Sequence, residues 1–327
     1  MNENPKLSII LPCYNVEKYI SRCLDSIYKQ NIPETEYEVI CVNDCSPDNS
    51  REIVLYFQKR HENLILLEHE VNKKLGAARN TGLKAAKGKY IWFIDSDDYI
   101  VENCFEKLLN LCEKDNLDLL MFSFYKQIDT LNFVQCENIS TNDIIAGKEF
   151  LELFFEPQKI LSSCVKIFNR TFLLENNLFF AENVFWEDAD CIYKSIFYAK
   201  KIRSIQDAYY YYCLNQESIS RTLNSRKIAD MVKMGTRKLN FANEILEISP
   251  SLSQKIKNDA LWNTTAVRKI VKLSTKEIDN FYALLSDNQF IEIKKLTKLK
   301  YRWMFFCPSI VKICNFISNY AKKNSNF

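Results

Sequence analysis

The chain has 327 residues, 47% apolar and 26% charged, with a formal net charge of +3, which excludes a disordered or low-complexity protein and leaves room for one large core plus an appendage. Glycine and proline are scarce, at 5 and 7, against 17 tyrosines and 22 phenylalanines, and this balance argues against a turn-rich all-β fold. Charge is uneven: residues 201–327 carry 22 Lys and Arg against 10 Asp and Glu, whereas residues 1–200 carry 22 against 31.

In chain order, residues 7–11 are a short apolar run stopped by Pro12. Residues 16–30 place Tyr19, Ile20, Cys23, Leu24 and Ile27 at helical spacing, with Asn15 as the expected N-cap. A second strand is predicted over 38–42, a helix over 50–59, a third strand over 64–67, a third helix over 76–86 and a fourth strand over 90–94. This regular alternation predicts an α/β fold, a central mostly parallel sheet flanked by helices, whose ligands lie beyond the carboxyl ends of the strands. Further on, the pattern predicts a strand over 117–124 and helices at 147–155, from 171 to 176 and at 189–200. A tyrosine-rich edge strand is expected within 208–221, then helices at 228–246 and 252–273.

The strand over 90–94 ends in Asp95-Ser96-Asp97-Asp98, three carboxylates within four positions. Aspartate is depleted in strands and like charges repel, so a positive partner is called for, and Mn²⁺ or Mg²⁺ holding a phosphate is the simplest one. Polar clusters also follow the three earlier strands, at 12–15, 43–44 and 70–72. Neither G-x-G-x-x-G after the first strand nor G-x-x-x-x-G-K-[ST] occurs, so phosphate-cradling glycines are missing and the carboxylate-bound metal takes their place. Glu187 and Asp188 follow Phe185 and Trp186 at a helix start; they read either as partners of the helix dipole or as a partly desolvated general base. Ser218, Ser220 and Arg221 offer hydroxyls and a cation to a diphosphate.

Twelve scattered cysteines without a C-x-x-C pair, and only two histidines, His61 and His69, point away from zinc and from a disulfide framework. A reduced, cytoplasmic setting is expected. The polar start over residues 1–6 carries no signal-peptide pattern, and no apolar run has transmembrane length.

From about Leu7 to Arg221 the chain resembles the family 2 glycosyltransferases, inverting enzymes of the GT-A fold that act in bacterial cell-surface polysaccharide synthesis. The resemblance is carried by 8–15 (SIILPCYN), 42–48 (VNDCSPD), Asn72 with 78–82 (ARNTG), the D-x-D of 95–97, the Glu187-Asp188 pair and Ser218-Ile219-Ser220. It implies that Pro12, Tyr14, Asn15, Asp44, Asn72 and Arg79 surround the uridine of a UDP-sugar, with Asp44 on the uracil edge. Asp95, Ser96, Ser218, Ser220 and Arg221 would complete the donor site, Asp97 with Asp95 would hold the metal, and Asp188, beside Glu187, would be the catalytic base. The acceptor would be a glycan or polyprenyl-linked hydroxyl, with no nucleic acid partner. Cys45 and Lys74 stand where the family commonly has glycine.

Residues 1–221 are thus expected to form the catalytic domain and 222–327 a helical region. Within the latter, 294–323 holds eight Lys and Arg and no acid among aromatics, a composition that suits an anionic membrane surface on the inner face of the cell membrane as well as a packed helix. Two other readings compete. A strand ending in D-x-D also presents the nucleophile of haloacid dehalogenase-like phosphohydrolases, and a non-catalytic nucleotide-sugar binder needs no base. The first places its motif on the first core strand, not the fourth; the second has no use for Asp188.

Overall fold

The computed structural model describes residues 4–141, 143–215, 224–264, 273–284 and 311–312. In chain order its elements are β1 (Leu7–Cys13), α1 (Ile20–Tyr28), β2 (Tyr37–Asn43), α2 (Ser50–Gln58), β3 (Leu64–Glu68), α3 (Lys74–Ala85), β4 (Tyr90–Phe93), β5 (Tyr99–Ile100), α4 (Phe105–Asp115), β6 (Leu119–Gln127), β7 (Phe133–Cys136), α5 (Gly147–Leu153), α6 (Pro157–Ile160), β8 (Lys166–Asn169), α7 (Arg170–Glu175), α8 (Asp188–Tyr198), β9 (Ile202–Tyr212), α9 (Ser225–Glu244), α10 (Pro250–Thr264) and α11 (Thr275–Leu284). They fall into two compact units, residues 1–183 with 191–215, and residues 184–190 with 216–327. The division is therefore not a single cut, because a short piece that runs into the first turn of α8 clusters with the C-terminal part.

The first unit is built on one sheet of order β3-β2-β1-β4-β8-β6-β9-β5, with β7 paired to β6. Its first four strands are parallel, as the alternating pattern predicts. Every residue of β1 and β2 is buried, as strands covered on both faces require. Helix α3 approaches β1 closely because Gly82 has no side chain; a Cβ there would collide with Ile10 Cγ2. Beyond β4 the sheet turns mixed, since β8 runs antiparallel to both β4 and β6. Trp92 on β4 donates from Nε1 to the Cys164 carbonyl at 2.7 Å, which fixes the start of β8 beside the end of β4.

Three expectations are corrected. Pro12 does not stop β1 but lies within it, paired with Val42. The β4 ladder on the other side ends at Ile10, and the Pro12 carbonyl there takes the Ser96 hydroxyl at 2.7 Å, so the missing N–H of proline interrupts no strand pairing. Asn15 is not a helix cap: it sits at φ 56° in the turn that precedes α1, which starts only at Ile20. The tyrosine-rich strand β9 starts at Ile202 and is interior, flanked by β6 and the two-residue β5. Tyr210 is fully buried rather than wet.

In the second unit, α9 and α10 pack together through the Ser253 hydroxyl on the Ala242 carbonyl, 2.6 Å, and the Lys238–Asp259 ion pair, 2.6 Å. The buried Asp230 of α9 receives the backbone N–H of Phe185 at 3.2 Å and Arg226 Nε at 3.1 Å, anchoring the piece before α8. Of the basic aromatic stretch 294–323 only Val311 and Lys312 belong to the described residues, so the membrane expectation falls outside them. Among the described residues no helix is long and apolar enough to cross a membrane. Ten cysteines are described, and all are free thiols.

The loops after β1 and β2 are joined by one carboxylate. Asp48 accepts the Glu17 backbone N–H at 2.8 Å, the Ser46 hydroxyl at 2.7 Å and the Ser50 hydroxyl at 2.6 Å. Partial burial opposes the charged form, but the bonds from Ser50 and Ser46 and the backbone donors outweigh it and hold the carboxyl below its usual value. Asp48→Ala should therefore destabilise the fold by about 1–2 kcal/mol near neutral pH. Because the native pKa is the lower one, this deficit should be complete above about pH 4 and close as the pH falls through the native value. Denaturant titrations at pH 6 and pH 3 test it; a gap that does not change with pH contradicts the assignment.

Candidate active site

Four loops meet at the carboxyl edge of the parallel strands. Asp95 Oδ1 is held by Arg79 Nη2 of α3 at 2.7 Å, and that guanidinium, 2% exposed, lies 5.1 Å from the Phe180 ring. Asp97 Oδ2 accepts the Asn215 side-chain amide at 2.9 Å, and its backbone carbonyl accepts Arg22 Nη2 at 2.8 Å. Asp98 is 1% exposed and fully engaged, taking the Tyr210 hydroxyl at 2.6 Å and the Cys213 N–H at 2.7 Å. Burial, then the neighbouring Asp95, pushes the Asp97 carboxyl above its usual value. Burial, then Asp97 and Asp95, pushes Asp98 well above.

The three carboxyls therefore have separate duties. Asp98 is structural, whereas Asp95 and Asp97 are half-buried at the sheet edge, and Asp97 carries an amide partner where a cation would lower the cost of its charge. Two hard oxygen donors side by side, one of them with only an amide on its carboxylate, fit a hard divalent cation such as Mg²⁺ or Mn²⁺.

Asp44 closes the neighbouring loop. It is 3% exposed and accepts the backbone N–H groups of Lys73 and Lys74 at 2.8 and 2.7 Å and the His69 imidazole at 2.6 Å. The first N–H groups of α3 are thus taken by Asp44, so this helix end does not offer a phosphate cradle. Asn72 reaches the Asp44 carbonyl at 3.3 Å, Asn15 N–H binds the Ser46 hydroxyl at 2.8 Å, and Tyr14 is 46% exposed. Cys45 and Lys74, in the positions of the family's glycines, do adopt left-handed backbone, φ 58° and 70°. Such strain is a mark of functional loops.

Tyr14, Asn15, Asp44, Asn72, Asp95, Ser96 and Asp97 lie on the four loops of this edge, Pro12 in the last part of β1 and Arg79 on α3. Glu187 precedes α8 and Asp188 opens it, both within the second unit and just after Trp186 at φ 69°, and Glu187 is 6% exposed. Ser218, Ser220 and Arg221 lie outside the described residues. Sequence reasoning missed His69, Tyr210 and Asn215. The scarcity of histidine was the only signal for the first; the other two sit 112 and 118 residues from their acidic partners and carry none.

A family model described as glycosyl transferase family 2 matches residues 8–174. The chain is 33% identical over 220 residues to a glycosyltransferase described as uncharacterized, EpsJ of Bacillus subtilis, covering 66% of this chain and 63% of that one. It is 35% identical over 217 residues to the poly(ribitol-phosphate) beta-glucosyltransferase of Bacillus spizizenii, covering 65% of this chain and 33% of that one. The structure of residues 1–349 of S. aureus TarS in complex with UDP-GlcNAc superimposes with a TM-score of 0.67 at 25% identity, covering 95% of this chain and 89% of that one.

The sheet, its helices and this edge define a protein of the GT-A fold. The chain belongs to glycosyl transferase family 2. It spans less than two thirds of the length of both curated relatives named above. Family membership, with the D-x-D on the fourth parallel strand, replaces the phosphohydrolase alternative.

Tyr210 ties β9 to the acidic loop, donating to Asp98 and accepting the Asp95 N–H at 3.3 Å. Tyr210→Phe removes only the hydroxyl and should cost about 1–3 kcal/mol, the scale for a buried polar group left without its partner. Urea unfolding at neutral pH measures this, and a loss below about 0.5 kcal/mol, the range of a neutral surface change, would contradict the clamp.

Proposed function

We propose that this chain transfers a sugar, with inversion, from a UDP-sugar to a hydroxyl of a glycan or polyprenyl-linked acceptor in cell-surface polysaccharide synthesis. The observation that carries the reading is the pairing, at one sheet edge of a family 2 chain, of the Asp95/Asp97 carboxylates with the buried acceptor Asp44. It is supported by the UDP-GlcNAc bound to TarS and by relatives that glycosylate poly(ribitol phosphate).

In this reading the exposed Tyr14 ring offers a flat face to the base, Pro12, Asn15 and Asn72 border the uridine, and Asp44 accepts the uracil ring N–H. Asp97 and Asp95 would hold Mn²⁺ or Mg²⁺, with Arg79 fixing Asp95 and Ser96 fixing the loop to β1. Bound there, the ion would supply positive charge that stabilises a diphosphate leaving group. Ser218, Ser220 and Arg221 add hydroxyls and a cation to that same charge. Asp188 takes the proton of the acceptor hydroxyl, whose oxygen attacks the anomeric carbon as the bond to UDP breaks on the opposite face; Glu187 stands beside it. The enzyme would act in the cytoplasm, with residues 294–323 on the inner face of the membrane.

Asp188→Asn should leave UDP-sugar affinity within about twofold while turnover falls by roughly 10²–10⁴, the range for loss of a general base. Nucleotide release measured with and without acceptor, alongside equilibrium binding, separates the two effects. Retained turnover in Asp188→Asn together with an inactive Glu187→Gln would exchange the two roles, and retained turnover in both would remove the base assignment.

A further inference from the structure

One of the two imidazoles of the chain is buried inside the candidate site. His69, just past β3, is 8% exposed; its Nδ1 lies 2.6 Å from Asp44 Oδ1 and its Nε2 2.9 Å from Thr81 Oγ1 on α3. The other partners of the Asp44 carboxylate are backbone N–H groups, Lys73 on Oδ1 and Lys74 on Oδ2. Oδ1 thus takes two bonds and Oδ2 one, which leaves the spare acceptor capacity on Oδ2. The backbone donors set where the carboxylate sits, and the imidazole fixes how it is turned. The carboxylate sets the tautomer, because it can only accept: the proton sits on Nδ1, where it donates to Asp44, and the Thr81 hydroxyl, able to donate or accept, engages Nε2 and steadies the ring.

We infer that His69 is a positioning residue that sets nucleobase selectivity, by holding the Asp44 carboxylate so that one lone pair of Oδ2 faces the ligand. This deepens the proposed function and rests on its assignment of Asp44 to the base. An acceptor fixed in that way accepts a ring N–H, as uracil offers at N3, and opposes the bare ring nitrogen that cytosine presents there. A carboxylate free to turn would lose that distinction before it lost affinity for the rest of the nucleotide. His69 touches Asp44 and not the ligand, so its effect is expected in the ratio of affinities.

The test compares UDP with CDP by calorimetry in Mn²⁺ at neutral pH, using the full chain. His69→Asn keeps an amide donor near the Nδ1 position, and His69→Gln keeps one near Nε2 instead. Wild type and His69→Asn should prefer UDP by about tenfold or more, whereas His69→Gln should fall to within about threefold. Thr81→Val, which removes only the hydroxyl that steadies the imidazole at Nε2, should fall between them and serves if a His69 variant does not fold. A His69→Gln or Thr81→Val protein with the wild-type ratio overturns the inference, as does an equal loss for both nucleotides in all variants. Wild type that binds UDP and CDP equally would instead remove the uracil role of Asp44, and the inference with it.

Discussion

Three carboxyl groups within four residues, at the end of a buried strand, are a cost that the rest of the first unit is arranged to contain. Burial and mutual repulsion push Asp97 and Asp98 toward their neutral forms. Asp98 is relieved by two donors from β9 and the residue just past it, and Asp95 by the guanidinium of α3. Asp97 receives an amide. A group that remains short of positive charge after the fold has supplied its partners is where a cationic ligand gains most, so electrostatics and location converge on the same residue.

Three of the eight described residues with left-handed backbone lie at the same edge. Asn15, Cys45 and Lys74 hold left-handed backbone at φ 56°, 58° and 70° on three successive loops, although none is glycine. Asparagine adopts this conformation readily, but for Cys45 and Lys74 it costs about 1–2 kcal/mol and persists only where surrounding bonds impose it. Those bonds are visible: Asn15 N–H on Ser46, Ser46 and Ser50 on Asp48, and Lys74 N–H on Asp44. Loops after β1, β2 and β3 are thereby locked to one another, and a nucleotide would meet a surface already ordered.

The parallel half of the sheet was legible because its strands and helices repeat at regular spacing and end in turn residues. The acidic edge was legible because aspartate is out of place after an apolar strand. What escaped depended on contacts distant in sequence. β8 is four residues long and begins with Lys166, a fully buried lysine that no strand pattern suggests. Pro12 reads as a terminator until the shortness of the β4 ladder shows that it interrupts nothing. Tyr210 looks like one of four equivalent tyrosines, and only its partner Asp98 distinguishes it. His69 has no periodic or motif signal at all; its meaning comes from Asp44 and Thr81 on either side.

The measurement that bears most directly on the central claim is the affinity of the full chain for UDP in Mn²⁺ and in excess chelator, by calorimetry at one pH and ionic strength. If Asp95 and Asp97 bind a diphosphate through a divalent ion, affinity should fall by more than about tenfold, or 1.4 kcal/mol, when the ion is withdrawn. Equal affinity in both conditions would show that the acidic edge binds its ligand without a metal or not at all.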